Sequence, residues 1–180
     1  MRADIEKIIK EYEVNTFLNE KNIKRAEEQL GSDETVLYLS PTNAVVYTGK
    51  NKKSLVGIIV ITNRRVFLYS KVLFSVTIES FNMTDLNSIE STSNGLSGSK
   101  LKLHTNTKTM EVLISYKSSI ATKIMQLLDT TMNDAKNKNQ SNVTPTDNID
   151  QIKKLAELKE LGIISQEEFE KKKQDLLNKI

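Results

Sequence analysis

The sequence predicts an α+β fold: an antiparallel β-barrel or sandwich with a C-terminal capping helix, entered through N-terminal helices and followed by a tethered two-helix hairpin. Three observations predict it. The hydrophobic repeat switches from helical spacing to two-residue alternation near Thr35 and back near Ser118, which brackets a β region between helical ends. Within the bracket, about seven or eight short runs are separated by turn residues, the spacing of an antiparallel sandwich or barrel. At its centre, Leu55–Ile61 and Val66–Tyr69 flank Thr62-Asn63-Arg64-Arg65. Asn tolerates the left-handed backbone of a tight reversal, so this is a hairpin, apolar enough to need cover on both faces.

In chain order, Ile5, Ile8, Ile9 and Tyr12 form one face of a short helix. Ile23, Ala26 and Leu30 mark a second, stopped by Gly31. Neither is long enough to stand alone, so residues 1–33 are expected to pack on the β domain. Thr35–Leu39 and Ala44–Thr48 are strands separated by Pro41, which cannot donate to a central ladder. Gly49 to Ser54 reads as a polar loop. In Ser75–Phe81, Val76 and Ile78 alternate with Thr77 and Glu79 in a half-buried strand. Leu86–Ser91 is a further strand candidate, Asn94-Gly95 and Gly98 a turn, and Lys100–His104 and Met110–Ile114 two more alternating strands. Ile120, Ile124, Leu127, Leu128 and Met132 then recur at helical spacing behind Ser118 or Ser119 as N-cap, and this helix closes the domain at 34–133. Residues 134–148 hold Val143 as their one large apolar residue and read as a flexible linker. Residues 149–180 form the hairpin: one helix ends at Gly162, and Ser165-Gln-Glu-Glu168 is a capping box opening the next.

Composition narrows function by exclusion. With no Cys there is neither a disulfide framework nor thiolate chemistry. Apolar runs stay far below the ~20 residues of a membrane-spanning helix, and the mixed-charge N-terminus lacks a leader's apolar segment. A reducing cytoplasm, with peripheral membrane contact as a variant, is the expected compartment. His104, the one histidine, points away from the Leu101 and Leu103 face of its strand, with no nucleophile pattern around it. No His/Cys cluster suits a metal, and Gly49-Lys50-Asn51 lacks the hydroxyl and upstream Gly of a phosphate loop. No catalytic residue, metal or cofactor is therefore expected. The net charge of +3 is unevenly spread: residues 1–34 carry 6 basic and 9 acidic side chains, residues 35–133 carry 11 and 5. The β region is the basic part and favours an anionic partner. Arg is scarce and no helix has a basic stripe, so nucleic acid is not an expected partner.

The strand pattern, the Ile61-Thr-Asn-Arg-Arg-Val-Phe67 turn and the closing helix resemble the bacterial pleckstrin-homology-like (PH-like) domains of the YokE-like group, over about Glu34 to Met132. The run Leu155-Ala-Glu-Leu-Lys-Glu-Leu-Gly-Ile-Ile-Ser-Gln-Glu-Glu-Phe-Glu-Lys-Lys-Lys173 resembles the SHOCT module, over Ile149 to Ile180. The resemblance implies two near-orthogonal sheets capped by a helix, a scaffold for lipid headgroups, peptides or proteins. It also implies a tail that mediates oligomerisation or partner docking, and an occurrence in bacterial and prophage-borne proteins. Basic residues in the strand after the first loop would mark an inositol-phosphate site, and Leu55–Ile61 has none.

The candidate ligand surface is Lys50, Lys52 and Lys53, with Arg64 and Arg65 beyond the far end of the following strand. The candidate assembly surface is Ile152, Leu155, Leu158, Leu161, Phe169 and Leu176, because two such helices bury too little area to stand without cover. The expectation is a non-enzymatic adaptor that engages a protein or anionic ligand and forms a homo-oligomer through its C-terminal hairpin. A peripheral lipid-headgroup binder and a prophage-encoded factor that binds a host protein are the alternatives.

Overall fold

The structure, a computed structural model, describes residues 1–94, 98–141, 145–160 and 164–177. It comprises two compact units, Met1–Lys136 and Asn137–Ile180.

The first unit is built on one antiparallel sheet of seven strands: β1 (Val36–Thr48), β2 (Asn51–Thr62), β3 (Arg65–Val72), β4 (Ser75–Asn82), β5 (Ser88–Asn94), β6 (Gly98–His104) and β7 (Lys108–Ser115). Their order is β4-β3-β2-β1-β7-β6-β5, so β4 and β5 are edges and the expected barrel is not closed by pairing. The sheet nevertheless curls onto itself. Lys108 of β7 reaches Glu79 of β4 at 3.1 Å, although β3, β2 and β1 lie between them in the ladder. Inside the curl, Ile59, Ile61 and Leu68 share a core with Leu101, Leu103 and Met110. Ile124 and Leu128 of helix α3 (Ser118–Ser141) complete that core, and the expected capping helix is present.

β1 corrects the expected break at Pro41: it is one 13-residue strand. It pairs with β2 along its length but with β7 only over Ala44–Thr48, so Pro41 lies where β1 has a single neighbour. Side chains fill the gap on the other flank. The Thr42 hydroxyl donates to the Leu113 carbonyl (2.5 Å) and the Tyr38 hydroxyl to the Ile114 carbonyl (2.9 Å). The expected loop from Gly49 to Ser54 shrinks to Gly49-Lys50, because Asn51 to Ser54 extend β2 in register with β1. The strand expected at Leu86–Ser91 starts later. Leu86 is a fully buried plug after a single 3-10 turn at Met83–Asp85, and β5 begins at Ser88. The expected turn at Asn94-Gly95 extends beyond the described residues. In β2, an added Cβ on Gly57 would lie 2.0 Å from the Tyr69 carbonyl oxygen, so only glycine lets β3 approach this closely.

Helices α1 (Ala3–Glu11) and α2 (Glu20–Glu27) pack on β1 and on β2–β3 respectively, as their apolar faces predict. Ile5, Ile8, Ile23 and Ala26 are buried in the same core as the strands. Polar bonds fix them in place. Asp4 accepts from the Val36 backbone N–H (2.9 Å), and Glu27 accepts from that of Arg2 (2.6 Å).

In the second unit, α4 (Pro145–Glu160) and α5 (Gln166–Leu177) pack on each other. The stretch expected as a linker is helical at 134–141, within α3, and at 145–148, within α4. Its Ala, Lys and Gln residues are good helix formers, and Pro145 takes the first helical position, where its missing N–H costs no bond. The capping box forms: Ser165 Oγ accepts from the Glu168 N–H (3.2 Å), and Glu168 Oε2 accepts from the Ser165 N–H (2.9 Å). The helix-ending Gly162 lies outside the described residues.

Candidate functional site

The five basic residues singled out from sequence divide between opposite ends of β2. Arg64 lies in the β2–β3 turn and Arg65 opens β3, and both are engaged by the chain itself. The Arg65 guanidinium forks onto Glu34, Nε to Oε1 at 2.7 Å and Nη2 to Oε2 at 2.9 Å, and donates to the Gln29 carbonyl at 2.8 Å. It also lies 4.8 Å above the Phe67 ring. Glu34 is 4% exposed and accepts further bonds from the Gly31 N–H and the Thr62 hydroxyl. Burial opposes its ionisation, but Arg65, the Gly31 N–H and Thr62 together outweigh it and hold the carboxyl below its ordinary range. Arg64 pairs with Asp33 at 2.6 Å. This end is a clasp between the hairpin turn and the segment that follows α2.

Lys50, Lys52 and Lys53 lie at the other end. Gly49 takes the left-handed φ of 58° that a two-residue hairpin turn needs, which places Lys50 on the tip. Lys52 and Lys53 stand on β2 and not in a loop, so successive side chains leave opposite faces. Lys53 approaches Glu79 (3.7 Å) and Thr77 (3.5 Å), while Lys108 holds the other Glu79 oxygen. Thr77 and Glu79 are thus the inward-facing residues of β4. With a two-residue period, Val76 and Ile78 are thrown outward and are exposed.

Because β2 and β3 are antiparallel, the β3–β4 turn projects from the same end as Lys50. Val72 and Ser75 pair across that turn, leaving Leu73 and Phe74 as its two central residues. Leu73 is 84% exposed and Phe74 fully so. Leu73 is held at φ 52°, a left-handed conformation that costs a non-glycine residue about 1 kcal/mol. Exposed Val72 lies beside them, and Lys71 stands opposite Val76 on β4. Among the described residues, Lys50, Lys52 and Lys71 form no ion pair. This end of the domain thus carries both an apolar knuckle and, among the described residues, three lysines without an ion pair. Sequence reasoning passed over Leu73 and Phe74. Their signal was present: two large apolar residues stand where a hairpin turn ordinarily carries Asn, Asp or Gly.

Among the tail residues, Ile152, Leu155 and Leu158 are half-buried and Phe169 is buried. The ammonium groups of Lys159 and Lys173 lie 5.3 Å and 5.7 Å from the Phe169 ring centre. Leu161 and the side chain of Leu176 lie outside what the structure describes. No described helix is long and apolar enough to cross a membrane.

Comparison with known proteins gives two family matches. A family described as bacterial PH domain matches residues 30–130, and one described as SHOCT, a short C-terminal domain, matches residues 150–177. No curated protein matches the sequence significantly. Among solved structures, the Vps36 N-terminal PH domain is 18% identical, with a TM-score of 0.45 over 59% of this chain and 84% of its own. A DUF1696 family protein with a pleckstrin-homology domain from Shewanella loihica is 14% identical, with a TM-score of 0.40 over 64% of this chain and 91% of its own.

Proposed function

Since the chain belongs to the bacterial PH domain family over residues 30–130 and carries a SHOCT domain after it, we propose that it is a non-enzymatic adaptor whose PH domain docks on an anionic membrane surface. The observation that carries this reading is the exposed Leu73-Phe74 knuckle, which projects from the same end of the domain as Lys50 and Lys52, with Lys71 two residues before it on β3. An apolar tip that water alone covers is a cost to a freely dissolved protein, and its strained backbone adds to that cost. At a bilayer surface the same tip enters the interface while the lysines stay with the lipid headgroups. Three lysines near anionic lipid contribute about 1 kcal/mol each, and burying a Leu and a Phe contributes about 1.5–3 kcal/mol each at full burial. The product is weak, reversible attachment by charge and insertion, without a dedicated headgroup site.

The SHOCT tail is the second half of the proposal. Self-association through Ile152, Leu155 and Leu158 would present several tips at once and convert weak attachment into avid attachment.

Flotation with vesicles tests the docking. The full chain is expected to float with phosphatidylserine-containing vesicles and not with pure phosphatidylcholine. Phe74→Asp, and separately Lys50→Glu with Lys52→Glu, is expected to abolish it. Undiminished flotation of both variants, or none by the unaltered protein, would refute membrane docking and leave an acidic protein surface as the partner to pursue.

A further inference from the structure

The apolar surface at the β3–β4 turn does not end with the turn. Among the described residues, five of the eleven exposed large apolar side chains fall within one short stretch: Val72, Leu73, Phe74, Val76 and Ile78. Val76 stands opposite Lys71 and Ile78 opposite Tyr69, so both share the outer face of the sheet with those residues. Val76 is 50% exposed and Ile78 41%. β4 is an edge of the sheet, yet it carries none of the residues that guard an edge. It has no Lys, Arg or Pro, and its one charge, Glu79, is turned inward and held by Lys53 and Lys108. The other edge differs: β5 has Ile89 as its single apolar residue among Ser, Glu, Thr and Asn. β4 is thus an unguarded edge with an apolar outer face, and that face runs on from the knuckle.

We infer that the membrane contact extends from the tip along the outer face of β4, so that the β3–β4 hairpin lies along the bilayer surface. The inference rests on the docking reading above and adds to it the orientation of the domain. Size, charge and length select lipid as the cover. The five side chains together expose on the order of 600 Å², short of the ~800 Å² a side that a specific protein–protein interface buries. A bilayer makes no such demand on area or shape. Charge agrees. Apart from Arg65, which Glu34 holds, Lys71 is the one outward charge on β3 and β4, and no acid faces outward there. Apolar side chains around an unpaired cation suit a layer of anionic headgroups. Length decides the orientation. Phe74 and Ile78 are four residues apart, about 14 Å along a strand. A domain standing on its tip would sink about 5–10 Å into the interface and leave Ile78 in water. Lying along the surface, the hairpin brings Phe74, Val76 and Ile78 to one depth. Exposed Ser80, next on the same face, ends the apolar stripe.

The chain has no Cys, so single cysteines in the full chain can carry an environment-sensitive fluorophore without ambiguity. Phe74→Cys, Val76→Cys and Ile78→Cys probe the stripe, and Thr92→Cys, exposed on the other edge strand, is the control. With phosphatidylserine-containing vesicles, fluorescence is expected to rise at the first three positions and to be quenched there by nitroxide-labelled lipid. The control should not respond. Val76→Thr with Ile78→Thr keeps the β-branched shape and should keep the melting temperature, while vesicle partition weakens about fivefold. A response at Phe74→Cys alone, or undiminished partition of the double threonine variant, would overturn the lying orientation and leave docking by the tip. A response at none of the four positions would overturn the docking reading and this inference with it. An equal response at Thr92→Cys would mean adsorption without orientation and would overturn it too.

Discussion

The Glu34 carboxylate shows what a single side chain contributes to this fold. It is almost completely buried, yet ionised, because a forked guanidinium and two further donors surround it. Removing one member of such a pair strands the other's charge, so Arg65→Ala should cost about 3 kcal/mol in urea denaturation. Linkage gives the pH dependence its sign. The folded carboxyl sits below its unfolded value, so the stabilisation is present above the ordinary glutamate range and fades as pH falls through the depressed value. The stability gap between the protein and Glu34→Gln should therefore narrow on acidification from neutral pH toward pH 3; a constant gap would remove the carboxylate from this role. Leu73 makes the opposite trade. Leu73→Gly relieves left-handed strain and should leave stability unchanged or raise it by up to about 1 kcal/mol, while vesicle flotation weakens. Loss of both stability and flotation would mean the leucine is a structural residue.

At the scale of the element, β2 and β3 depend on a single missing methyl. Gly57→Ala would drive its Cβ onto the Tyr69 carbonyl, a backbone atom that cannot swing aside. A loss of several kcal/mol, on the order of the largest overpacking penalties, is expected in thermal melts; a shift of only a degree or two would show that the strands can separate cheaply. Other elements show how far a sequence declares its own structure. The Thr62–Arg65 turn, the Ser165–Glu168 capping box and the buried faces of α1 and α2 were legible because each is decided by local chemistry. The continuity of β1 through Pro41 was not, because it depends on the pairing with β7 ending at Ala44, a non-local fact. The orientation of β4 was hidden for the same reason. Alternation shows that Val76 and Glu79 face opposite ways, but only Lys53 and Lys108, from two distant strands, decide that Glu79 is the one facing inward. The candidate site was legible in Lys50 and Lys52 and missed in Leu73 and Phe74, since an apolar turn reads as core until a neighbour's absence is known.

For the whole molecule, the organising property is an uneven distribution of charge along the chain. Basic side chains concentrate in residues 35–133 and acidic ones in residues 1–34. The proposed membrane tip belongs to the first group. Assembly through the tail is testable separately. Leu155→Ala with Leu158→Ala should lower the solution mass measured by light scattering and reduce flotation. An unchanged monomer in both forms would discard self-association.

The clasp at Arg65 and Glu34 has a consequence for where this domain begins. The likeness to other PH domains starts at residue 30, yet Ile5, Ile8, Ile23 and Ala26 lie within the hydrophobic interior. A fragment trimmed to the matched limits would keep every strand and still expose the greasy flank that those four side chains cover. Its insolubility would be easy to mistake for misfolding of the sheet. The matched stretch is shorter than the packed unit in this protein, and the two helices that precede residue 30 make up much of the difference.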